Sequence, residues 1–170
     1  MVRAAEPRDA AAIAAIYNQG IEERQATFET EPRSPEDLRD ALGRGEFVLV
    51  EEAEAGVRGW ARVGGYSERE AYAGVGECQI YVERDARRQG VARELIEALC
   101  REAEARGYWK LIGKIFPENE GSVGLLRRCG FRDVGLHHRH GRLDGEWRDV
   151  LVVERLLGEA RGSGEAGPGY

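Results

Sequence analysis

Residues 87 to 92, Arg87-Arg88-Gln89-Gly90-Val91-Ala92, put two arginines and a glycine at the front of a helical stretch, where a Ser, Thr or Asp cap would be ordinary. That arrangement suits an anion. The first amides of a helix have no partner inside it and carry the positive end of its dipole, so a phosphate fits there. Gly90 lets the backbone come close to such a ligand, and Arg87, Arg88 and Arg93 add cations that can neutralise a second phosphate. A solvated basic first turn behind a loop glycine has the same residues, so the stretch alone says only that an anion is welcome. Two other phosphate motifs fail: no Gly-x-Gly-x-x-Gly follows a first strand, and residues 107 to 115 lack the spacing and the Ser/Thr of a P-loop. His137, His138 and His140 raise the question of a metal. On a strand only His138 and His140 share a face, no third ligand is evident, and the flanking arginines oppose a cation. The expectation is no metal, with the histidines in solvent or at a pocket rim.

The elements that must position these residues follow from periodicity. Val2 to Ala4 suit a first strand, and Asp9 caps a helix with apolar positions at Ala12, Ile13, Ile16, Tyr17 and Ile21, ending near Gly20 to Glu23. A polar loop follows. Ser34, Pro35 and Asp37 make a capping box for a short helix through Leu42. Phe47 to Glu51, Val57 to Val63 and Val75 to Val82 read as strands of an antiparallel sheet with one face covered. A long helix is expected from Gln89 to Arg106, packed through Val91, Leu95, Ala98, Leu99 and Glu102, with Gly107 as its stop. Leu111 to Ile115 form a further strand, and Asn119 or Glu120 starts a helix that reaches Arg128. The last piece is a hairpin of Phe131 to about Arg139 and Trp147 to Leu156, turning at Asp144-Gly145. Strands come in pairs rather than in strict βαβ alternation, so the class is α+β.

The chain of 170 residues suits one domain, expected over 1–157, with 158–170 composed like a flexible tail. A net charge of −6 argues against nucleic acid as the main partner. No stretch approaches the roughly 20 apolar residues that span a bilayer, and the N-terminus lacks the hydrophobic run of a signal peptide. No membrane association and a cytoplasmic location are therefore expected. Cys78, Cys100 and Cys129 are odd in number and far apart, which suits buried reduced thiols.

Residues 87 to 92 match in every specified place the Gln/Arg-x-x-Gly-x-Gly/Ala signature of the GNAT (Gcn5-related) N-acetyltransferases, and the chain resembles that family. The resemblance implies the GNAT fold, a mixed and mostly antiparallel central sheet flanked by helices, with acetyl-coenzyme A as co-substrate. It implies that the amides of Arg87, Arg88, Gln89, Gly90, Val91 and Ala92 hold the coenzyme pyrophosphate. Backbone groups around Ile80, Tyr81 and Val82 would pair with the pantetheine arm as an added strand does. Asn119 and Ser122, followed by Gly130-Phe131, match the segment whose Asn commonly touches that arm. Within the family the chain is similar to the phosphinothricin and methionine sulfoximine acetyltransferases. Asn18, Ile21-Glu22, Thr27 to Pro32, Arg69, Ala71-Tyr72, Glu77 and Gly145-x-Trp147-x-Asp149 carry that likeness, from residue 2 to about 156. The resemblance also implies a homodimer with the pocket near its interface.

Acetyl transfer to an amine needs the neutral amine, so a base must take a proton near the thioester. Glu77 is the candidate, on the strand that leads to the coenzyme loop, although a strand glutamate can also simply make a surface salt bridge. A backbone amide near Val82 would stabilise the oxyanion. An acyl-cysteine route through Cys78 is disfavoured because strand alternation turns it away from Glu77. Many family members are thought to protonate the leaving thiolate with a tyrosine; here that position is Leu126, so Tyr81, Tyr72 or no dedicated acid remains open. Arg69 is the expected clamp for an acidic acceptor, with Phe28, Tyr72, Tyr66 and Trp60 as pocket walls or ordinary packing. The implied function is acetylation of the α-amino group of a small glutamate-like amino acid. Another amine substrate, such as an ordinary amino acid, a polyamine or a protein N-terminus, and a coenzyme-binding sensor without turnover are the alternatives.

Overall fold

A computed structural model describes residues 1–43 and 47–162. The elements run β1 (Val2–Ala4), α1 (Ala10–Glu23), α2 (Pro35–Gly43), β2 (Val48–Ala53), β3 (Gly56–Gly65), β4 (Val75–Val82), α3 (Val91–Ala105), β5 (Lys110–Ile115), α4 (Glu120–Arg128), β6 (Arg132–Leu143) and β7 (Glu146–Leu156). Short 3-10 turns precede α1, β4 and α3 and follow β7.

All seven strands make one sheet in the order β1-β2-β3-β4-β5-β7-β6. Only β4 and β5 are parallel, because α3 crosses over between them; hairpins, the return through α1 and α2 from β1 to β2, and the β7 insertion keep every other pair antiparallel. The expected α+β class, a mixed and mostly antiparallel central sheet flanked by helices, is observed.

Helices cover both faces of the central strands. Ile13, Ile16, Tyr17 and Ile21 of α1 pack on Val48, Val50 and Trp60, while α3 buries Val91, Leu95, Ile96 and Leu99 against Leu49, Ala61 and Cys78 on the other face. This corrects the one-covered-face expectation. Val48, Leu49 and Val50 are all buried, as a strand between two helical layers requires. On α3 the inward position near the end is Ala103, not Glu102, which is exposed. That helix begins at Val91, two residues later than expected, because Gly90 stands at φ 87° outside it.

Caps fix the remaining ends. Ser34 Oγ accepts from Asp37 N (3.2 Å) and donates to the Asp37 carboxylate, as its spacing predicts. Asp9 takes a different role: its carboxylate accepts from Glu6 N and from the Arg3 guanidinium, so it closes the 3-10 turn ahead of α1. Asp144 (φ 51°) and Gly145 (φ 82°) form the two-residue turn between β6 and β7, both with the positive φ that such a tight hairpin needs. β6 reaches Leu143 rather than stopping near Arg139, with an irregularity between His137 and Gly141.

Of the segment expected as a tail, Gly158–Arg161 forms a 3-10 turn beside α3, with Arg161 ion-paired to Glu104; residues 163–170 lie outside the described residues.

Candidate active site

The site is built on a fork in the sheet. β4 and β5 are paired only over Val75–Glu77 and Lys110–Ile112, yet β4 continues to Val82 and β5 to Ile115. The cause lies in the neighbours. β5 stays in register with β7 from Lys110 to Ile115, while β4 stays in register with β3 from Gly76 to Val82, so the two strands part beyond Glu77.

The Glu83 amide donates to Arg58 O (2.8 Å), which sets the alternation along β4: Tyr81 and Gln79 turn their backbone groups to β3, and Ile80 and Val82 turn theirs into the fork. Unpaired strand edges of this kind accept an added extended chain.

Two helix starts flank the open end. Gly90 makes no side-chain cap, and the first helical bond of α3 is Glu94 N to Gly90 O (3.1 Å), so the amides of Val91, Ala92 and Arg93 have no helical acceptor. Arg88 (φ 62°) and Gly90 (φ 87°) are both left-handed, a pattern that turns successive amides toward a common anion. Gln89 Nε2 donates to Asp85 O, and the Glu83 carboxylate accepts from Asp85 N, which holds the turn in shape. At the start of α4, Asn119 Oδ1 accepts from Ser122 N (3.3 Å), the cap.

The arginines are less free than their clustering predicts. Arg87 pairs with Glu23 (2.8 Å) and Arg93 with Glu97 (2.9 Å). Arg84 also pairs with Glu23, and its amide donates to Gln19 Oε1, so the loop ahead of α3 is docked on the C-terminal end of α1. Partial burial disfavours the Glu23 charge, but Arg87 and Arg84 still hold its carboxyl below the usual range.

Glu77 lies where the strands begin to part. Its Oε2 accepts from Lys114 Nζ at 2.9 Å, both side chains partly exposed, and the β3 residue opposite is Gly64, which has no side chain. The salt bridge left open by the sequence is thus present, and Lys114 is a neighbour that strand-by-strand reading missed. Register offered the signal: with Ile112 beside Glu77, Lys114 is on the same face one pleat farther along. Cys78 points the other way into the core, where burial pushes its thiol up to about 12, so no thiolate is available for an acyl-enzyme. Leu126 is buried in that same core. Tyr81 stacks on Trp60, burial raises its phenol, and its hydroxyl donates to Ala26 O (3.4 Å).

Residues 24–28 cross this face as a strap, which periodicity could not show. Arg148 Nη1 donates to Arg24 O, Asn119 Nδ2 to Gln25 O and Tyr81 to Ala26 O, while Thr27 meets the Tyr17 hydroxyl. Phe28 stands edge-on to Phe116 and fills the space over Gly141, where a Cβ would lie 2.7 Å from the ring. Arg69 lies over Tyr72 (5.8 Å), and Tyr72 meets Tyr66 edge-on, all exposed on the loop that enters β4. The expected acceptor residues therefore form two groups, Phe28 on the strap and Arg69 with Tyr72 on the β3–β4 loop. Trp60 is core. The irregularity in β6 stacks His137 on His140 (4.5 Å) instead of aligning His138 with His140, and His138 meets Asp149. Among the described residues no three His, Cys, Asp or Glu side chains are grouped to hold a metal, and no helix is long and apolar enough to cross a membrane.

An anion cradle beside a strand fork is the arrangement the sequence resemblance implies, and the family model described as Acetyltransferase (GNAT) domain matches residues 2–152. The chain belongs to the GNAT acetyltransferase family. It is 33% identical over 157 residues to phosphinothricin N-acetyltransferase of Streptomyces viridochromogenes, covering 91% of this chain and 86% of that one. It is 32% identical over 168 residues to the L-methionine sulfoximine/L-methionine sulfone acetyltransferase of Pseudomonas paraeruginosa, covering 94% and 96%. A crystal structure of a GNAT phosphinothricin acetyltransferase from Sinorhizobium meliloti in complex with acetyl-CoA superposes with a TM-score of 0.87 at 29% identity, over 98% and 94% of the two chains. The GNAT member described here is an acetyl-CoA-dependent N-acetyltransferase, and its likeness to the phosphinothricin and methionine sulfoximine branch extends over most of its length.

Proposed function

We propose that the protein transfers the acetyl group of acetyl-CoA to the α-amino group of a small glutamate-like amino acid of the phosphinothricin, arsinothricin or methionine sulfoximine type, with Glu77 as general base. The observation that carries this reading is the position of Glu77. It stands at the root of the fork, on the partly exposed face, with open space beside it at Gly64. The names of the two curated relatives support the acceptor class.

In this mechanism the turn at 87–92 and Arg93 hold the pyrophosphate, and Ile80 and Val82 pair with the pantetheine arm along the fork. Tyr81 contributes its ring to the wall, since its backbone pairs with β3. Asn119 and Ser122 complete the far side at the start of α4. Glu77 takes a proton from the acceptor ammonium, and the freed nitrogen attacks the thioester carbonyl carbon. Charge then collects on the carbonyl oxygen, where a β4 amide facing the fork donates to it. As the C–S bond breaks, the electron pair leaves on sulfur, and the remaining extra proton on the attacking nitrogen passes to that thiolate, which leaves the neutral amide and free CoA thiol; a thiolate of moderate pKa needs no dedicated acid. Arg69 and Tyr72 receive the acidic end of the acceptor, and Phe28 closes its other side.

Glu77→Gln tests the base. It should lower kcat/KM at neutral pH by about 10²–10⁴-fold, the usual worth of general-base assistance, and by less at alkaline pH, where more of the acceptor amine is already neutral. A variant with the parent pH profile removes Glu77 from the role. Arg69→Ala, measured alongside, should raise the acceptor KM and leave acetyl-CoA affinity unchanged; a change confined to acetyl-CoA affinity would contradict the clamp.

A further inference from the structure

From the Glu77–Lys114 pair we infer that Lys114 is a specificity-determining residue that receives the α-carboxylate of the acceptor, so the site selects amino-acid zwitterions over simple amines. The inference rests on the proposed placement of the acceptor amine at Glu77. Lys114 Nζ is 2.9 Å from Glu77 Oε2, on neighbouring strands at the point where their pairing ends. Both side chains are partly exposed, 29% for Glu77 and 43% for Lys114, so the pair is weak and opens at little cost.

A zwitterion can enter such a pair without leaving a charge unmatched. Its ammonium meets the Glu77 carboxylate and its carboxylate meets the Lys114 ammonium, so one ion pair becomes two. The amine nitrogen and carboxylate carbon of an α-amino acid are about 2.5 Å apart by standard backbone dimensions. The two flexible side chains therefore need part by only a few ångströms, with Gly64 leaving room beside Glu77. A simple amine or polyamine does the reverse. It takes Glu77 from Lys114, leaves that ammonium unpaired and brings a second positive charge beside it. A protein N-terminus carries a neutral amide where the amino acid has its carboxylate, and it meets the same penalty.

After the exchange the chemistry is unchanged. Glu77 takes one ammonium proton, the nitrogen bonds to the acetyl carbon, the C–S bond breaks and the nitrogen's remaining extra proton goes to the departing thiolate, while Lys114 keeps the carboxylate throughout and transfers no proton.

The test compares phosphinothricin with the matching amine that lacks its α-carboxylate, in the full-length enzyme with acetyl-CoA. Lys114→Met should raise KM for phosphinothricin by roughly tenfold to a hundredfold, the range for one lost charge-assisted hydrogen bond. It should leave kcat within about threefold and the KM of the simple amine unchanged or lower, and Lys114→Arg should restore part of the loss. Calorimetric binding of the two compounds to the enzyme loaded with CoA gives the same comparison without turnover. Equal effects of Lys114→Met on both compounds, or no effect on either, overturn the inference. Because binding is read apart from rate, loss of the Glu77 base role leaves this comparison intact, and loss of the Lys114 role leaves the Glu77 pH profile intact.

Discussion

Gly90 shows how one residue joins fold to chemistry. Its φ of 87° lies in the left-handed region, and no neighbour would obstruct a Cβ there, so the demand for glycine comes from the backbone alone. Gly90→Ala should therefore cost about 1–2 kcal/mol of stability through the left-handed penalty. It should also weaken acetyl-CoA binding as the turn relaxes and the amides of 90–93 swing away. Thermal unfolding and calorimetry check both, and a variant with unchanged Tm and unchanged Kd would show that the turn is not shaped for the pyrophosphate. Arg88 carries the same strain with a side chain, which fits a loop held by its surroundings rather than by its own preference. The positive charge that drew attention to this stretch is only partly available. Glu23 and Glu97 engage two of its arginines, so the proposed pyrophosphate contact rests on the backbone amides more than on the guanidiniums.

At the scale of elements, the fork and the two helix starts beside it make the candidate site. Asn119 belongs to both the cap of α4 and the strap, through Ser122 N and Gln25 O. Asn119→Ala should lower stability by about 0.5–2 kcal/mol, as loss of an N-cap does, whereas Asn119→Asp, which keeps the capping oxygen, should lose much less. Equal losses in chemical denaturation would mean that the cap is not what Asn119 supplies. Elements with local signals were legible in the sequence: the Ser34 capping box, the Asp144-Gly145 turn and the α1 stripe, whereas the start of α3 was placed two residues early because the left-handed φ of Gly90 does not show in the periodicity. Features set by partners distant in sequence were not. The end of β4–β5 pairing depends on β7, which begins at Glu146, far along the chain from the start of β5 at Lys110. The strap over Phe116 and Gly141, the Glu77–Lys114 pair and the docking of Arg84 and Arg87 on α1 are likewise contacts between distant segments. The histidines of β6 misled for a related reason. Period-two alternation holds only while the register does, and the irregularity at 137–141 brings His137 to His140.

For the whole molecule, two features follow from the sheet order. β6 is the outer edge strand, exposed along most of its length, and Val134, Leu136 and Trp147 present apolar surface on the β6–β7 hairpin. We propose that this hairpin is the contact of a homodimer. Sedimentation should give twice the 18.9 kDa chain mass, and a Val134→Lys/Leu136→Lys double variant should sediment as a monomer; a monomeric parent protein contradicts the proposal. The second feature is the fork itself, which has the proposed anion cradle at one end and Glu77, the proposed base, at its root, an arrangement suited to group transfer rather than to binding alone. The most direct test is thiol release from acetyl-CoA with a panel of acceptors: phosphinothricin, methionine sulfoximine, ordinary amino acids, a polyamine and an alanine-starting peptide. The account predicts the highest kcat/KM for the glutamate-like phosphinate or sulfoximine and little release with the polyamine or peptide. Acetyl-CoA binding without thiol release from any acceptor, or a preference for the peptide, would contradict it.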